Sequence, residues 1–112
     1  MNRKYRLTNS SDFQRVRRTG QSYAHPLAVL IASANNRPIS RFGFSTGKAL
    51  GSAVRRNRAK RLLREAIRGH LAVIEPGWDI VIIARPIIFE SSWSEIQQAI
   101  SDLIQRAGLF GK

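Results

Sequence analysis

The sequence predicts an α/β fold, a two-layer sandwich of three helices on a small mixed sheet. Apolar residues recur at helical spacing in the middle and at the end of the chain, whereas 27–34 and 79–84 are continuous β-branched and aliphatic runs. The succession strand, helix, strand across 40–84 calls for a parallel pair, because parallel neighbours need a long crossover between them.

A first helix is predicted from about Ser10 to Arg18, with Ser10 or Ser11 as N-cap and Gly20 just beyond its end. Phe13 and Val16 lie on one side of it, among Arg15, Arg17 and Arg18. A strand is predicted over Leu27–Ala34, after Pro26, and a turn at Asn35–Pro38. A second strand, Ser40–Thr46, has Phe42 and Phe44 on one face. Ala28–Ile31 is expected to pair with Arg41–Phe44 as a hairpin. The middle helix is predicted over about Ala53–Leu71, with Ala59, Leu62, Leu63, Ala66 and Ile67 as its apolar stripe. Arg58, Arg61, Arg64 and Arg68 project from the other side with Glu65, and Arg56 and Lys60 flank the apolar edge, where long stems can pack. A strand at Asp79–Ala84 follows the Pro76-Gly77 turn. The last helix opens on the capping box Ser92-Trp93-Ser94-Glu95 and ends at Gly108.

The chain has 112 residues, 43% of them hydrophobic, which suits one domain over 1–112 with a true core. It has no cysteine, so neither disulfides nor thiolate metal sites are available. No apolar run approaches the ~18 residues of a membrane span. A cytoplasmic protein with no membrane partner is expected. Nineteen Lys and Arg against seven Asp and Glu leave a formal charge of +12, so the obvious partner is a polyanion. Fifteen of the nineteen are Arg, whose planar fork grips phosphate and stacks on bases.

That charge is concentrated. Six basic residues fall in 1–18, ten in 37–68 and three in 76–112, and seven stand within the 14 positions 55–68. A solvated helix face alternates its signs, and this one does not. Catalytic groups, by contrast, are sparse. His25 and His70 have no partner at ligand spacing, and the seven acids are scattered. Gly43, Gly47 and Gly51 fit neither a Walker loop nor a dinucleotide fingerprint. No catalytic residue and no metal site is expected in the protein itself.

The core Arg56-Asn57-Arg58, continued by Lys60-Arg61 and Arg64-Glu65, resembles the hallmark of the protein subunit of bacterial ribonuclease P. Arg6-Leu7 with Asp12-Phe13-Gln14-Arg15-Val16, then Arg41-Phe42-Gly43-Phe44-Ser45, then Asp79–Arg85 extend the resemblance over nearly the whole chain. It implies a fold like the ribosomal protein S5 domain 2-like sandwiches, with a left-handed βαβ crossover against the usual preference. It implies a ribonucleoprotein that removes 5′ leaders from precursor tRNA, with one protein per catalytic RNA. By the same resemblance Arg55, Arg56, Asn57, Arg58, Lys60, Arg61, Arg64 and Arg68 would meet the catalytic RNA. Phe13, Arg17, Lys48 and Arg85 would line a cleft for the single-stranded leader. Hydrolysis would belong to the RNA and its bound Mg²⁺, with no cofactor on the protein alone. Four features depart from the common family pattern: Arg17 stands where many relatives have an aromatic residue, Thr46-Gly47 replaces a Val-Ser pair, and Ala49 and Ser52 replace Lys and Asn. The competing reading is a ribosomal or ribosome-assembly protein.

Overall fold

Four strands, β1 (Gln21–Ala24), β2 (Ala28–Ala34), β3 (Arg41–Thr46) and β4 (Trp78–Ala84), form one mixed sheet in the order β1-β2-β4-β3. Three helices complete it: α1 (Ser10–Thr19), α2 (Ala53–Arg68) and α3 (Trp93–Arg106). The computed structural model describes residues 3–111; residues 1, 2 and 112, at the ends of the expected 1–112 unit, lie outside them. Among the described residues, no helix is long and apolar enough to cross a membrane.

β3 and β4 run parallel, joined through α2, as the strand–helix–strand succession predicts. The expected hairpin between Ala28–Ile31 and Arg41–Phe44 does not form. β4 lies between those segments, and all seven residues of β2 pair with it, from Ala28↔Ala84 to Ala34↔Trp78. The reason is burial. β2 and β4 are apolar towards both sheet faces and take the centre, while β3, with Arg41, Ser45 and Thr46, goes to the edge. The hairpin partner of β2 is instead β1, a short and mostly exposed strand with no apolar alternation to betray it. His25 and Ala28 close that turn with reciprocal backbone hydrogen bonds of 2.9 and 3.2 Å.

The α/β sandwich is not the expected two layers: α1 packs on one face of the sheet, and α2 and α3 on the other. Leu30, Phe42, Ile80 and Ile82 face α2 and α3 and join Ala59, Leu63, Ile67, Ile100 and Ile104 in the main core. The alternate residues Ile31 and Val81 point the other way and bury against Leu7 and Val16, with Phe13 packed alongside; this smaller cluster seats α1. Leu62 of the predicted α2 stripe is only partly buried.

Helix ends differ slightly from expectation. The N-cap of α1 is Asn9, whose Oδ1 accepts from the Ser11 amide at 2.9 Å, and not Ser10 or Ser11. Asn and Ser cap about equally well, so adjacent candidates are indistinguishable in sequence. α2 ends at Arg68, short of Leu71. There the His70 Nδ1–H donates to the Ala66 carbonyl at 3.0 Å, and Leu71–Val73 forms a 3-10 turn. The capping box of α3 is as predicted. Ser92 Oγ accepts from the Glu95 amide at 3.1 Å and the Ser92 amide donates to Glu95 Oε1 at 2.8 Å.

Candidate nucleic-acid interface

The basic segment begins where Gly51 turns the chain at φ 102°, a conformation L side chains rarely adopt, and Ser52 caps α2 by accepting from the Arg55 amide at 3.3 Å. The apolar stripe docks on the sheet and so fixes which cations face out. Arg58 and Arg61 stand exposed beside Asn57, and Arg68 pairs with Glu65 at 3.3 Å. Arg55 is engaged within the fold. Its Nε donates to the Leu50 carbonyl at 2.9 Å and its guanidinium lies 4.3 Å from the Phe89 ring centre, pinning the helix start to the turn after β4. Among the described residues Arg56, Arg58, Lys60, Arg61 and Arg64 make no ion pair.

Arg56, Lys60 and Arg64 follow one another at four-residue spacing along the flank of α2 and are partly buried. Arg64 reaches over the β3 edge, 5.7 Å from the centre of the Phe44 ring. It helps to line a groove of about 270 Å³ with Arg6, Lys60, Phe13 and Phe44. Burial, then the neighbouring charges of Arg6, Arg61 and Arg68, push its pKa down from the usual guanidinium value. The Nε atoms of Arg56 and Arg64 are buried with no hydrogen-bond partner among the described residues. Crowded, desolvated cations of this kind are relieved by an anion, and phosphate is the one a guanidinium fork matches best.

The groove brings together residues assigned to two separate surfaces. Phe13 of α1 and Lys60 and Arg64 of α2, from opposite faces of the sheet, meet at the β3 edge. Arg6, part of the resemblance but given no role by it, joins them through a bridge to Phe42 and the Leu7 amide bond to the Phe42 carbonyl at 2.8 Å. Phe13 lies against Gly43, where a Cβ would stand 2.5 Å from the ring tip, so only glycine admits the ring this close. One turn on, Arg17 donates from Nη2 to Ser45 Oγ at 2.8 Å. Lys48 is exposed in the 3-10 turn Lys48–Leu50 that follows β3. Arg85 follows β4 and lines a separate hollow with His25, Pro26 and Ile87. Because Thr46 pairs with Ala84 in parallel register, Lys48 and Arg85 leave the sheet at the same end.

Beneath α1 lies a carboxylate that sequence reading passed over. Asp79, 0% exposed at the head of β4, accepts from Arg41 Nε at 2.9 Å, Arg41 Nη2 at 2.8 Å, Asn35 Nδ2 at 2.9 Å and Arg15 Nη2. Asp12 sits 3.5 Å from Arg15 and 3.8 Å from Arg41. These two arginines are therefore committed to the fold. Burial alone would raise the Asp79 pKa, but the hydrogen bonds from Arg41, Asn35 and Arg15 outweigh it and hold the carboxyl below its ordinary range. A depressed folded pKa gives stability that is complete above the unfolded value of about 3.9 and is lost as pH falls through the folded value. Urea unfolding between pH 7 and 3 is expected to show stability falling at the acid end, and Asp79→Asn to flatten that fall. An equally steep fall in the variant would show that other carboxylates carry it.

The two histidines and Glu95 are engaged within the fold. His25 Nδ1 accepts from the Leu27 amide at 3.1 Å, His70 is engaged at the end of α2, and Glu95 caps α3. Among the described residues no three His, Cys, Asp or Glu side chains cluster to hold a metal.

Comparison with known proteins identifies the family. The family model described as Ribonuclease P matches residues 1–108. The ribonuclease P protein component of Roseiflexus sp. strain RS-1 is 46% identical over 110 residues, covering 97% of this chain and 90% of the relative. That of Clostridium kluyveri is 36% identical over 108 residues, covering 95% and 96%. Among solved structures, the Staphylococcus aureus RNase P protein superposes with a TM-score of 0.84 at 34% identity, covering 96% of this chain and 98% of that one. The Thermotoga maritima RNase P protein gives 0.81 at 30% identity, covering 90% and 96%. A basic helix with unpaired cations, an aromatic groove at the sheet edge and matches running nearly end to end lead to one assignment: the chain belongs to the ribonuclease P protein family.

Proposed function

We propose that this chain binds the catalytic RNA of ribonuclease P through the exposed side of α2 and holds the 5′ leader of precursor tRNA against α1 and the β3 edge. The observation that supports it most is the set of unpaired cations on α2 leading into a groove where Phe13 and Phe44 stand beside Lys60 and Arg64. Outward arginines suit a structured RNA backbone, and aromatic faces beside cations suit a single strand of any sequence. Hydrolysis is assigned to the RNA and its Mg²⁺ ions, with one protein per RNA and the reaction in the cytoplasm. The protein contributes substrate affinity and the electrostatic environment in which the RNA retains its metal ions. A ribosomal role has no observation of its own in its favour.

Affinity capture of the chain from its host should bring down one discrete RNA, and the reassembled complex should remove leaders in Mg²⁺. Recovery of ribosomal particles instead would overturn the reading. In that complex His25→Ala, His70→Gln and Glu75→Gln are expected to leave single-turnover cleavage nearly unchanged, because none is assigned to proton transfer or metal ligation. A loss of several orders of magnitude in a folded, assembled variant would place chemistry on the protein.

A further inference from the structure

We propose that Asp79 is a positioning residue for leader recognition: by clamping Arg15 it fixes α1, and with it Phe13, at the height over β3 that the leader contact requires. The proposal rests on the leader-binding reading above. α1 is a ten-residue helix with one buried side chain, Val16, and a helix this short has little stability of its own. Its position is therefore dictated by what it docks on. The apolar seat is small, formed by Leu7, Val16, Ile31 and Val81.

The polar tie beside it is far more directional. Arg41 of β3 grips Asp79 through both carboxylate oxygens, and Asn35, from the turn after β2, donates to Oδ1. The acceptor is thus held by sheet and turn residues outside α1, and Arg15 meets it at a fixed point. Two residues away, Phe13 can come no closer to β3. The 2.5 Å between its ring tip and the place of a Gly43 Cβ leaves room for a hydrogen and nothing more. Phe13 lines the groove together with Lys60 and Arg64, so its height contributes to the groove's shape. Asp79 touches no groove atom itself; it acts through Arg15 on Phe13.

The test uses the assembled protein–RNA complex and reads the ratio of precursor to mature tRNA affinity at fixed salt. Arg15→Gln removes only the α1 arm and leaves Asp79 compensated by Arg41 and Asn35, so it keeps the fold where Asp79→Asn could lose it. Each variant is expected to lower the ratio about fivefold or more by populating a displaced α1, with mature tRNA affinity unchanged. Backbone amide exchange should rise in α1 and not in α2. Combined with Phe13→Ala, Arg15→Gln should add no further loss, since both act through one contact. An additive loss would mean that Arg15 touches RNA directly and would overturn the positioning role. An unchanged ratio in Arg15→Gln, with Phe13→Ala still lowering it, would overturn the clamp and leave the leader reading standing. If Phe13→Ala itself has no effect, the leader reading fails and the proposal fails with it.

Discussion

Between about 50 and 200 mM monovalent salt, affinity for the catalytic RNA is expected to fall roughly 250-fold, the consequence of a log–log slope near −4 if about five phosphates are neutralised. The outward cations of α2 are the source. Arg58 and Arg61 are exposed and free of ion pairs, so Arg58→Gln and Arg61→Gln should each flatten the slope by about one. Arg55 should behave differently although it belongs to the same run. Its guanidinium is already stacked on Phe89 and bonded to Leu50, so Arg55→Gln should reduce stability more than it reduces the slope. Replacing Arg64, which is half-buried over Phe44 and crowded by Arg6, Arg61 and Arg68, with Gln should weaken binding more than the loss of one exposed charge would, because a bound phosphate also satisfies its buried Nε. Affinity measured by filter retention or fluorescence over a salt series settles each case. A slope near zero would remove phosphate contacts as the main source of affinity.

The contrast between Arg55 and Arg58 also marks where sequence reading stops. Helical periodicity separated the apolar stripe of α2 from its basic side, because 3.6-residue spacing is a local property. It could not tell that Arg55 would meet Phe89, thirty-four residues on, or that Arg64 would lean onto Phe44. The parallel β3–β4 pair was legible from the length of the crossover, but β4 taking the place beside β2 was not, because strand order is decided by competition for burial among all strands. β1 has too few apolar residues for any local pattern. Asp79 reads as the polar first residue of an apolar strand; only Arg15 and Arg41, distant in sequence, make it a buried acceptor. The separation into a helix surface and a leader cleft is what the family resemblance implies; in the molecule Lys60 and Arg64 line one groove with Phe13.

That sharing sharpens what Phe13→Ala should do. An aromatic platform contributes ~1–3 kcal/mol per stacked base in single-strand binders, so the precursor-to-mature affinity ratio should fall roughly 5- to 150-fold. The ring also packs beside Leu7 and against Gly43, and its removal leaves a gap that lowers stability, so retained structure has to be verified by circular dichroism at the temperature of the assay. Phe13→Leu separates the two contributions: it refills the gap with aliphatic bulk but offers no aromatic face. If stacking is the contact, Leu restores stability and leaves the ratio low. If the ring only holds α1 in place, Leu restores both. Because Lys60 and Arg64 border the same groove, Lys60→Gln should lower the ratio as well as the affinity for the catalytic RNA, whereas Arg61→Gln, on the exposed side of α2, should lower RNA affinity and leave the ratio in assembled complexes unchanged. A folded Phe13→Ala complex with an unaltered ratio would make Phe13 a packing residue and move the leader away from the β3 edge.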